Sequence, residues 1–164
     1  KKAGEVVAWN LEEDNPTDVK YWIPTGARWL DSITCKGKIG GIPGGKISEI
    51  AGLESTGKSY MAAQIAANAQ KMGIDVFYFV SESALDSTFL RNAGCDVPNL
   101  VYTQARSVEF VLERIEDMLA VNENRMLFIW DSLAFTPAKA DIEGDFNPQS
   151  SMAVKPRILS KGFS

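Results

Sequence analysis

Eight consecutive residues, 52–59, limit what this chain can fold into more than any other feature. They are Gly52, Leu53, Glu54, Ser55, Thr56, Gly57, Lys58 and Ser59. Glycines at the first and sixth positions, followed by lysine and serine, are typical of a loop whose backbone N–H groups close around a phosphate. Residues 46–51 predict a strand entering this loop, and residues 59–71 predict a helix leaving it. A helix N-terminus after a glycine loop favours an anion, because the helix dipole and the first N–H groups face it.

Two side chains of this loop predict the chemistry of the ligand. In such loops the lysine, here Lys58, reaches the β- and γ-phosphates, and the hydroxyl that follows, here Ser59, binds Mg²⁺. We therefore predict a site for a nucleoside triphosphate and Mg²⁺. The alternative is a Gly/Ser-rich turn between a strand and a helix that binds nothing.

The composition is that of an ordinary globular protein, with 164 residues, 45% hydrophobic and 23% charged. No apolar run is long enough to cross a membrane, and the first residues do not resemble a signal peptide, which predicts a cytosolic protein. The chain has no histidine, so it cannot use a Ser-His or Cys-His pair of its own. Cys35 and Cys95 are expected to be free thiols in a reducing cytosol. A net charge of −4 argues against attraction of nucleic acid to the whole surface, but it permits a local basic patch.

Strand-like and helix-like segments alternate along the chain. We divide it into a polar lead-in, residues 1–20, and one core, residues 21–164. A short strand and helix are expected in 21–35, and the glycine-rich run 37–45 predicts a mobile connector. Strands are predicted at 75–81, 100–103 and 126–130, and helices at 86–92 and from Ser107 onwards. The second helix has an apolar face formed by Val108, Val111, Leu112, Ile115, Met118 and Leu119. This alternation predicts an α/β fold with a mainly parallel sheet flanked by helices.

The sequence after Asp131 contains no convincing strand, and the last residues resemble the start of a helix. A sheet of four or five strands would then keep an open, apolar edge. We therefore expect a truncated domain, incomplete at its C-terminus.

Two acidic residues are expected on the same rim as Lys58. Asp131 ends an apolar strand, and ligands of doubly wound folds bind at the carboxyl ends of the strands. It would hold Mg²⁺ through water, opposite Ser59; the alternative is an ordinary turn residue. Glu82 ends the strand after the loop helix and is the best candidate to orient water and accept its proton. A capping or solvated Glu82 is the alternative, and Glu54 is the second candidate base.

Further candidates lie on either side of Asp131. Asp86 would accept a hydrogen bond from the amino group of an adenine, and Phe89 would stack on its ring. Phe89 could equally be a core residue. The polar segment 136–151 is too long for a tight turn, and loops of this length are usually functional or disordered. Residues 152–164 carry Lys155, Arg157 and Lys161 and no acid. That local excess suits a DNA backbone; a solvated helix face is the alternative.

Several motifs, in order and with similar gaps, resemble the core of the RecA recombinase family. They are Ile23-Pro24-Thr25-Gly26, residues 41–50, residues 52–59, residues 81–86, Asp131-Ser132-Leu133, Thr136-Pro137 and residues 141–144. The resemblance runs from about residue 9 to the end. The particular residues found within these motifs suggest a phage-type recombinase of the UvsX kind. The family implies a P-loop NTPase fold and ATP-dependent filament formation on single-stranded DNA, with homologous pairing and strand exchange.

The resemblance also implies roles for individual residues. Glu82 matches the catalytic glutamate, Asp131 the magnesium-associated aspartate and Asp86 the adenine-contacting aspartate. Phe89 stands where a stacking tyrosine is usual. The first DNA-binding loop would include Glu143, Gly144, Asp145, Phe146, Ser151 and Met152, with Lys155 and Arg157 near the family's basic DNA contacts. The implied partners are ATP, Mg²⁺, single-stranded DNA and further copies of the chain, with ATP held between subunits of a filament and no membrane.

Some positions depart from the family pattern. Tyr60, which we include among the nucleotide-contacting residues, replaces a small hydroxyl residue, and Leu53 replaces a common proline. The family's second DNA-binding loop, C-terminal domain and neighbour-supplied lysines have no counterpart in these 164 residues. We therefore expect nucleotide binding without efficient DNA-stimulated turnover from this segment alone. The alternatives are another RecA-fold ATPase, such as a helicase-like motor or a clock-type switch, and a module that binds nucleotide without hydrolysing it.

Overall fold

The computed structural model of the chain describes residues 18–35, 37, 40–81, 86–143 and 154–163. The chain divides into two compact units, Lys1–Ala51 and Gly52–Ser164, and each is described by itself. The division of the chain into a lead-in and one core over 21–164 stays a prediction.

The first unit contains a small two-stranded antiparallel sheet and one helix. Strand β1 (Trp22–Ile23) pairs antiparallel with β2 (Ile42–Pro43), and helix α1 (Arg28–Thr34) lies between them in sequence. The Asp31 side chain is buried and accepts hydrogen bonds from the backbone N–H (2.9 Å) and hydroxyl (2.6 Å) of Thr25. These bonds tie the chain before α1 to its first turn. The short strand and helix predicted for residues 21–35 are confirmed.

The glycine-rich run is more ordered than a connector. It contains β2, and Gly41 has a φ of +137° where its backbone meets that of β1. A Cβ at this position would overlap the carbonyl group of Ile23. Glycine is therefore required here by a close approach of two backbones, and the prediction of a mobile connector is wrong at this point.

The second unit is an α/β layer built on a parallel sheet. Its elements are α2 (Lys58–Lys71), β3 (Asp75–Val80), α3 (Ser87–Ala93), β4 (Leu100–Gln104), α4 (Val108–Val121), β5 (Met126–Asp131), α5 (Lys139–Glu143) and α6 (Val154–Gly162). The three strands are parallel in the order β4-β3-β5, and Tyr78 in β3 faces Tyr102 and Ile129 in the register. The predicted α/β fold and its three strands are confirmed.

Local capping signals account for the helix ends. Asp86 accepts a hydrogen bond from the Thr88 backbone N–H (2.9 Å) at the start of α3, and Gly94 ends that helix with a left-handed φ of +98°. Ser107 accepts from the Phe110 N–H (3.1 Å) at the start of α4. A side-chain oxygen at the N-cap satisfies one of the helix's first N–H groups, and glycine is the favoured residue at a left-handed helix end.

The core of this unit lies around the central strand. In β3, the side chains of Val76, Tyr78 and Phe79 are at most 1% exposed. Helix α4 covers Phe79 with Val111, and α2 packs on β3 and β5 through a face of alanines and Ile65. Small side chains at these positions allow α2 to approach the sheet closely.

One predicted strand is wrong. Residues 46–51 form no strand, and every one of them is exposed, including Ile47 at 70%. They belong to neither of the two sheets that the described residues form. Ile47 and Ile50 are three positions apart, so they would face opposite sides of a strand. A strand also needs a hydrogen-bonding partner, and none appears for this segment in the described ranges.

The sheet is smaller than the four or five strands expected. Among the described residues it has three, and the outer strand β4 exposes Val101 (49%) and Tyr102 (45%). No helix in the described ranges is both long enough and apolar enough to cross a membrane.

Candidate nucleotide site

The glycine loop turns sharply into α2. Gly57, the residue before the helix, has a left-handed φ of +90°, and Ser55 has a φ of +58°. The first hydrogen bond of the helix runs from the Met61 N–H to the Gly57 carbonyl (2.9 Å). The N–H groups of the earlier helical residues therefore point out of the helix end, as expected of any helix N-terminus. This geometry suits an anion, because several donors and the positive end of the helix dipole converge.

The Lys58 side chain folds back over the loop. Its Nζ donates to the carbonyl oxygens of Gly52 (2.9 Å) and Leu53 (2.7 Å), and the Thr56 hydroxyl donates to Leu53 as well (2.8 Å). The ammonium group thus adds a full positive charge to the partial charge of the helix end. The two bonds hold Lys58 against the loop instead of leaving it extended into solvent.

The remaining loop residues are open to solvent. Leu53, Glu54 and Ser59 are all exposed, with Leu53 at 83%. The Ser59 hydroxyl, in the first turn of α2, is accessible to an ion at the helix end. No hydrogen bond or ion pair among the described residues orients the Glu54 side chain as a catalytic base.

An aromatic pair joins the first turn of α2 to α3. The rings of Tyr60 and Phe89 are 6.1 Å apart at an interplanar angle of 68°, an edge-to-face contact. Tyr60 is 45% exposed. The structure therefore brings two predicted nucleotide residues together beside the loop. Asp86 lies one turn before Phe89, and one carboxylate oxygen is used to cap α3.

The topology places the loop at the same edge as Asp131. Helix α2 leads into β3 through residues 72–74 only, so the two run in opposite directions. The first turn of α2 therefore lies near the carboxyl end of β3. Val80 at this end is in register with Asp131 of β5, and α2 packs against both strands. The arrangement brings Lys58 and Ser59 to the edge where Asp131 ends its strand.

Asp131 has a neutral hydrogen-bond donor as its neighbour. The Tyr78 hydroxyl donates to Asp131 Oδ2 at 3.4 Å. Burial of Tyr78, and then the negative charge of Asp131, raise the pKa of the phenol above its ordinary value. Tyr78 therefore stays protonated and orients the carboxylate without competing for a cation.

The donor groups fit a magnesium ion bound mainly by phosphate and water. The described residues contain no group of three or more His, Cys, Asp or Glu side chains able to hold a metal. Mg²⁺ typically uses one or two carboxylates together with substrate phosphates and water. Asp131 would supply the carboxylate and Ser59 a hydroxyl, while the nucleotide would supply the phosphates. Beside Asp131, the Ser132 hydroxyl is buried with no partner among the described residues, so a polar contact is available to a bound water.

The predicted base and most of the predicted DNA loop lie outside the described residues. These are Glu82, Gly144, Asp145, Phe146, Ser151 and Met152. Glu143 is the last residue of α5. The start of α5 is held against α4, because the Lys139 N–H donates to Glu109 (2.9 Å) and its ammonium pairs with Glu113 (3.2 Å).

The two predicted basic DNA residues lie on α6 and differ in their contacts. Lys155 donates from Nζ to the Ala134 carbonyl at 2.9 Å, in the turn after β5. Arg157 is exposed.

Sequence reasoning missed several polar residues at this edge. The hydroxyls of Ser81 and Thr136 both form hydrogen bonds with the backbone of Ser132, and Trp130 donates to the Thr136 hydroxyl. In the sequence, one signal for these contacts was available: Ser81, a hydroxyl residue directly before Glu82. Its partner Ser132 is distant in sequence and depends on the strand register.

Comparison with known proteins identifies the family. A family model described as the RecA N-terminal domain matches residues 1–164. The chain belongs to the RecA family. Protein RecA of Bifidobacterium breve is 38% identical over 150 residues, which cover 92% of this chain and 37% of that protein. Protein RecA of Bifidobacterium longum (strain NCC 2705) is 38% identical over 163 residues, 99% of this chain and 40% of that protein. Protein RecA of Fusobacterium nucleatum is 37% identical over 162 residues, 99% of this chain and 39% of that protein.

The chain thus spans about two fifths of the length of these RecA proteins. The predicted RecA resemblance is confirmed, and the segment corresponds to the N-terminal region of the family. The phage-type assignment stays a prediction.

Proposed function

We propose that this chain is the nucleotide-binding part of an ATP-dependent DNA recombinase. The observation that carries the proposal is the packing of α2 against β3 and β5, which, with the short connection from α2 to β3, directs the start of α2 towards the carboxyl ends of these strands. Lys58 lies over the glycine loop at the start of α2, and Asp131 ends β5 at the same edge. A triphosphate needs a cationic cradle at one side and a carboxylate near its metal at the other.

In this proposal each group of the site has one task. The N–H groups of the loop and the Lys58 ammonium bind the phosphates, while Tyr60, Asp86 and Phe89 contact the base. Ser59 and Asp131 hold Mg²⁺, which when bound neutralises charge that develops between the β- and γ-phosphates. Glu82, two residues after the end of β3 in sequence, orients the attacking water and accepts its proton.

The second half of the proposal concerns DNA. Residues 142–152 and the basic residues of α6, Lys155 and Arg157, contact single-stranded DNA. Copies of the protein assemble into a helical filament in the cytosol of a bacterium or of a phage-infected host, with ATP at the subunit interfaces. The filament then promotes homologous pairing and strand exchange. Family membership and the basic residues of α6 support this half, and we expect little turnover from the present segment alone.

The deciding experiment is ATP hydrolysis by the full-length protein with and without single-stranded DNA. We expect hydrolysis that requires Mg²⁺ and rises when single-stranded DNA is added, together with strand exchange between homologous substrates. A rate of ATP hydrolysis that is the same with and without single-stranded DNA would instead indicate another RecA-fold ATPase. Nucleotide binding with no hydrolysis under any condition would indicate a non-enzymatic module.

A further inference from the structure

Two serines at the ends of neighbouring strands are joined side chain to backbone. Ser81 follows β3 directly, and Ser132 follows β5. The Ser81 hydroxyl donates to the Ser132 carbonyl (2.9 Å) and accepts from the Ser132 N–H (2.9 Å). The Ser81 N–H donates to the Asp131 carbonyl (3.0 Å). We call these three bonds the serine clamp.

The clamp continues the sheet past the point where strand pairing stops. The register between β3 and β5 ends at Val80 and Asp131. Beyond it, one side chain bonds both the N–H and the C=O of a single residue. Such a pair of bonds restrains both backbone dihedrals of Ser132, and hence the direction in which the chain leaves Asp131.

The Ser132 carbonyl is held from a second side. The Thr136 hydroxyl donates to it (3.0 Å) and in turn accepts from Trp130 Nε1 (2.8 Å). The turn after β5 is therefore fixed by hydroxyl groups from both of its flanks. The Ser132 hydroxyl takes no part in this, since it has no partner among the described residues.

We propose that Ser81 is a positioning residue for the ATP site: it fixes the Asp131–Ser132 backbone and thereby the direction of the Asp131 side chain. This inference rests on the proposed function. Ser81 is bonded covalently to Glu82 and by hydrogen bonds to the residue pair that carries the metal-associated carboxylate. A carboxylate that acts near a metal-bound phosphate must be held closely in place, because small displacements cost rate.

The test compares Ser81→Ala with Ser81→Thr in the full-length protein. Alanine removes the hydroxyl and leaves the Ser132 N–H without its acceptor, whereas threonine keeps the hydroxyl on a half-buried residue. For Ser81→Ala we expect kcat to fall about tenfold with KM for ATP nearly unchanged. The Mg²⁺ concentration for half-maximal activity should rise by about tenfold, the usual effect of removing a supporting hydrogen bond at a metal site. Ser81→Thr should restore both values, and Ser87→Ala, at the exposed start of α3, is the matched control.

Amide hydrogen exchange gives a readout that does not depend on activity. The Ser132 N–H should exchange about tenfold faster in Ser81→Ala than in the wild type, since it loses its one acceptor in the clamp. Exchange within α2 should not change. Ser81→Thr should keep the slow exchange.

Two results would overturn the positioning role of Ser81 alone. One is a Ser81→Ala protein with wild-type kcat, Mg²⁺ dependence and Ser132 exchange. The other is an equal loss in the alanine and threonine variants that follows their loss of thermal stability, because this would show a purely structural residue. A wild-type protein that hydrolyses no ATP would overturn the proposed function instead, and the role of Ser81 in it.

Discussion

Tyr78, at the centre of the parallel sheet, donates a hydrogen bond to Asp131 at the end of the neighbouring strand, with 3.4 Å between Tyr78 Oη and Asp131 Oδ2. The tyrosine side chain is fully buried, and Asp131 is half-buried. Burial and the adjacent carboxylate both disfavour the tyrosinate, so both raise the pKa of Tyr78. The relationship links the hydrophobic core to the polar edge of the site.

A dependence of stability on alkaline pH follows from this pair. The folded pKa of Tyr78 lies above the unfolded value of about 10, so above that pH the unfolded state binds fewer protons than the folded state. The stabilisation from the protonated phenol is complete below pH 10 or so and is lost as pH rises towards the folded pKa. Urea unfolding of the wild type between pH 8 and 11 should show this decline.

Tyr78→Phe isolates the contribution of the phenol. At pH 7 the loss of one partly buried hydrogen bond should lower the free energy of unfolding by about 1 kcal/mol. Above pH 10 the variant should lose stability less steeply than the wild type, since it has no phenol to ionise. Tyr102→Phe, on the outer strand β4 where Tyr102 is 45% exposed, is the matched control. Equal slopes for the wild type and Tyr78→Phe would show that Tyr78 does not titrate as inferred.

Lys58→Ala should separate nucleotide binding from folding. The lysine bonds only to exposed loop carbonyls, so the free energy of unfolding should change by less than about 0.5 kcal/mol. Affinity for ATP should fall by a factor of ten or more, because a charge-assisted contact to phosphate is worth about 1.5–3 kcal/mol. Isothermal titration with a non-hydrolysable ATP analogue measures the loss. Lys71→Ala, at the other end of α2, should bind like the wild type, and unchanged binding by Lys58→Ala would remove the loop from the site.

Phe89→Ala tests whether the aromatic pair contacts a base. If Phe89 stacks on adenine, the variant should bind ATP more weakly by a few-fold to tenfold, the size of about 1 kcal/mol for an aromatic contact. Its affinity for inorganic tripolyphosphate should stay unchanged, because that ligand has no base. Competition titrations with both ligands give the comparison. An equal loss for both would mean that Phe89 supports α2 through Tyr60 and does not reach the base.

Features encoded by neighbouring residues could be predicted from the sequence. The start of α4 at Ser107 and the end of α3 at Gly94 depend on a cap or a glycine within one turn of the helix end. The buried central strand β3 could be predicted because a run that is apolar on both faces suits a parallel sheet covered by helices. The glycine loop belongs to the same class, because its whole pattern lies in eight consecutive residues, 52–59.

Features that depend on distant pairing could not be predicted. Residues 46–51 look like a strand, but nothing in their local pattern specifies a partner. Leu119 belongs to the apolar stripe of α4 and is nevertheless 58% exposed. The fully buried residues of that helix, Val108 and Val111, lie near its start, so the far end of the stripe is less covered. The Tyr78–Asp131 and Ser81–Ser132 contacts join residues more than fifty positions apart. They follow from the register of β3 with β5, which hydrophobic patterning alone does not set.

Glu82→Gln tests the predicted base in the full-length protein. Glutamine keeps one oxygen and nearly the same volume but cannot accept a proton, so ATP binding should persist. Hydrolysis should fall by about 10²-fold or more, the usual contribution of a general base. Turnover of bound ATP in a single-turnover assay distinguishes this from a binding defect. Glu123→Gln, in the exposed turn before β5, is the control; normal turnover by Glu82→Gln would exclude Glu82 as the base.

The basic residues of α6 should contribute to DNA affinity in proportion to the phosphates they neutralise. For single-stranded DNA, the slope of log affinity against log salt becomes shallower by about 0.7 for each phosphate that the protein no longer neutralises. Arg157→Ala should change the slope by about that amount. Lys155→Ala should change it less, because the Lys155 ammonium already bonds to the Ala134 carbonyl. Fluorescence anisotropy with an oligonucleotide at several salt concentrations measures the slopes, with Arg91→Ala at the exposed end of α3 as the control. If neither α6 variant changes the slope, these two residues do not bind the DNA backbone, and a protein partner becomes the better explanation of their charge.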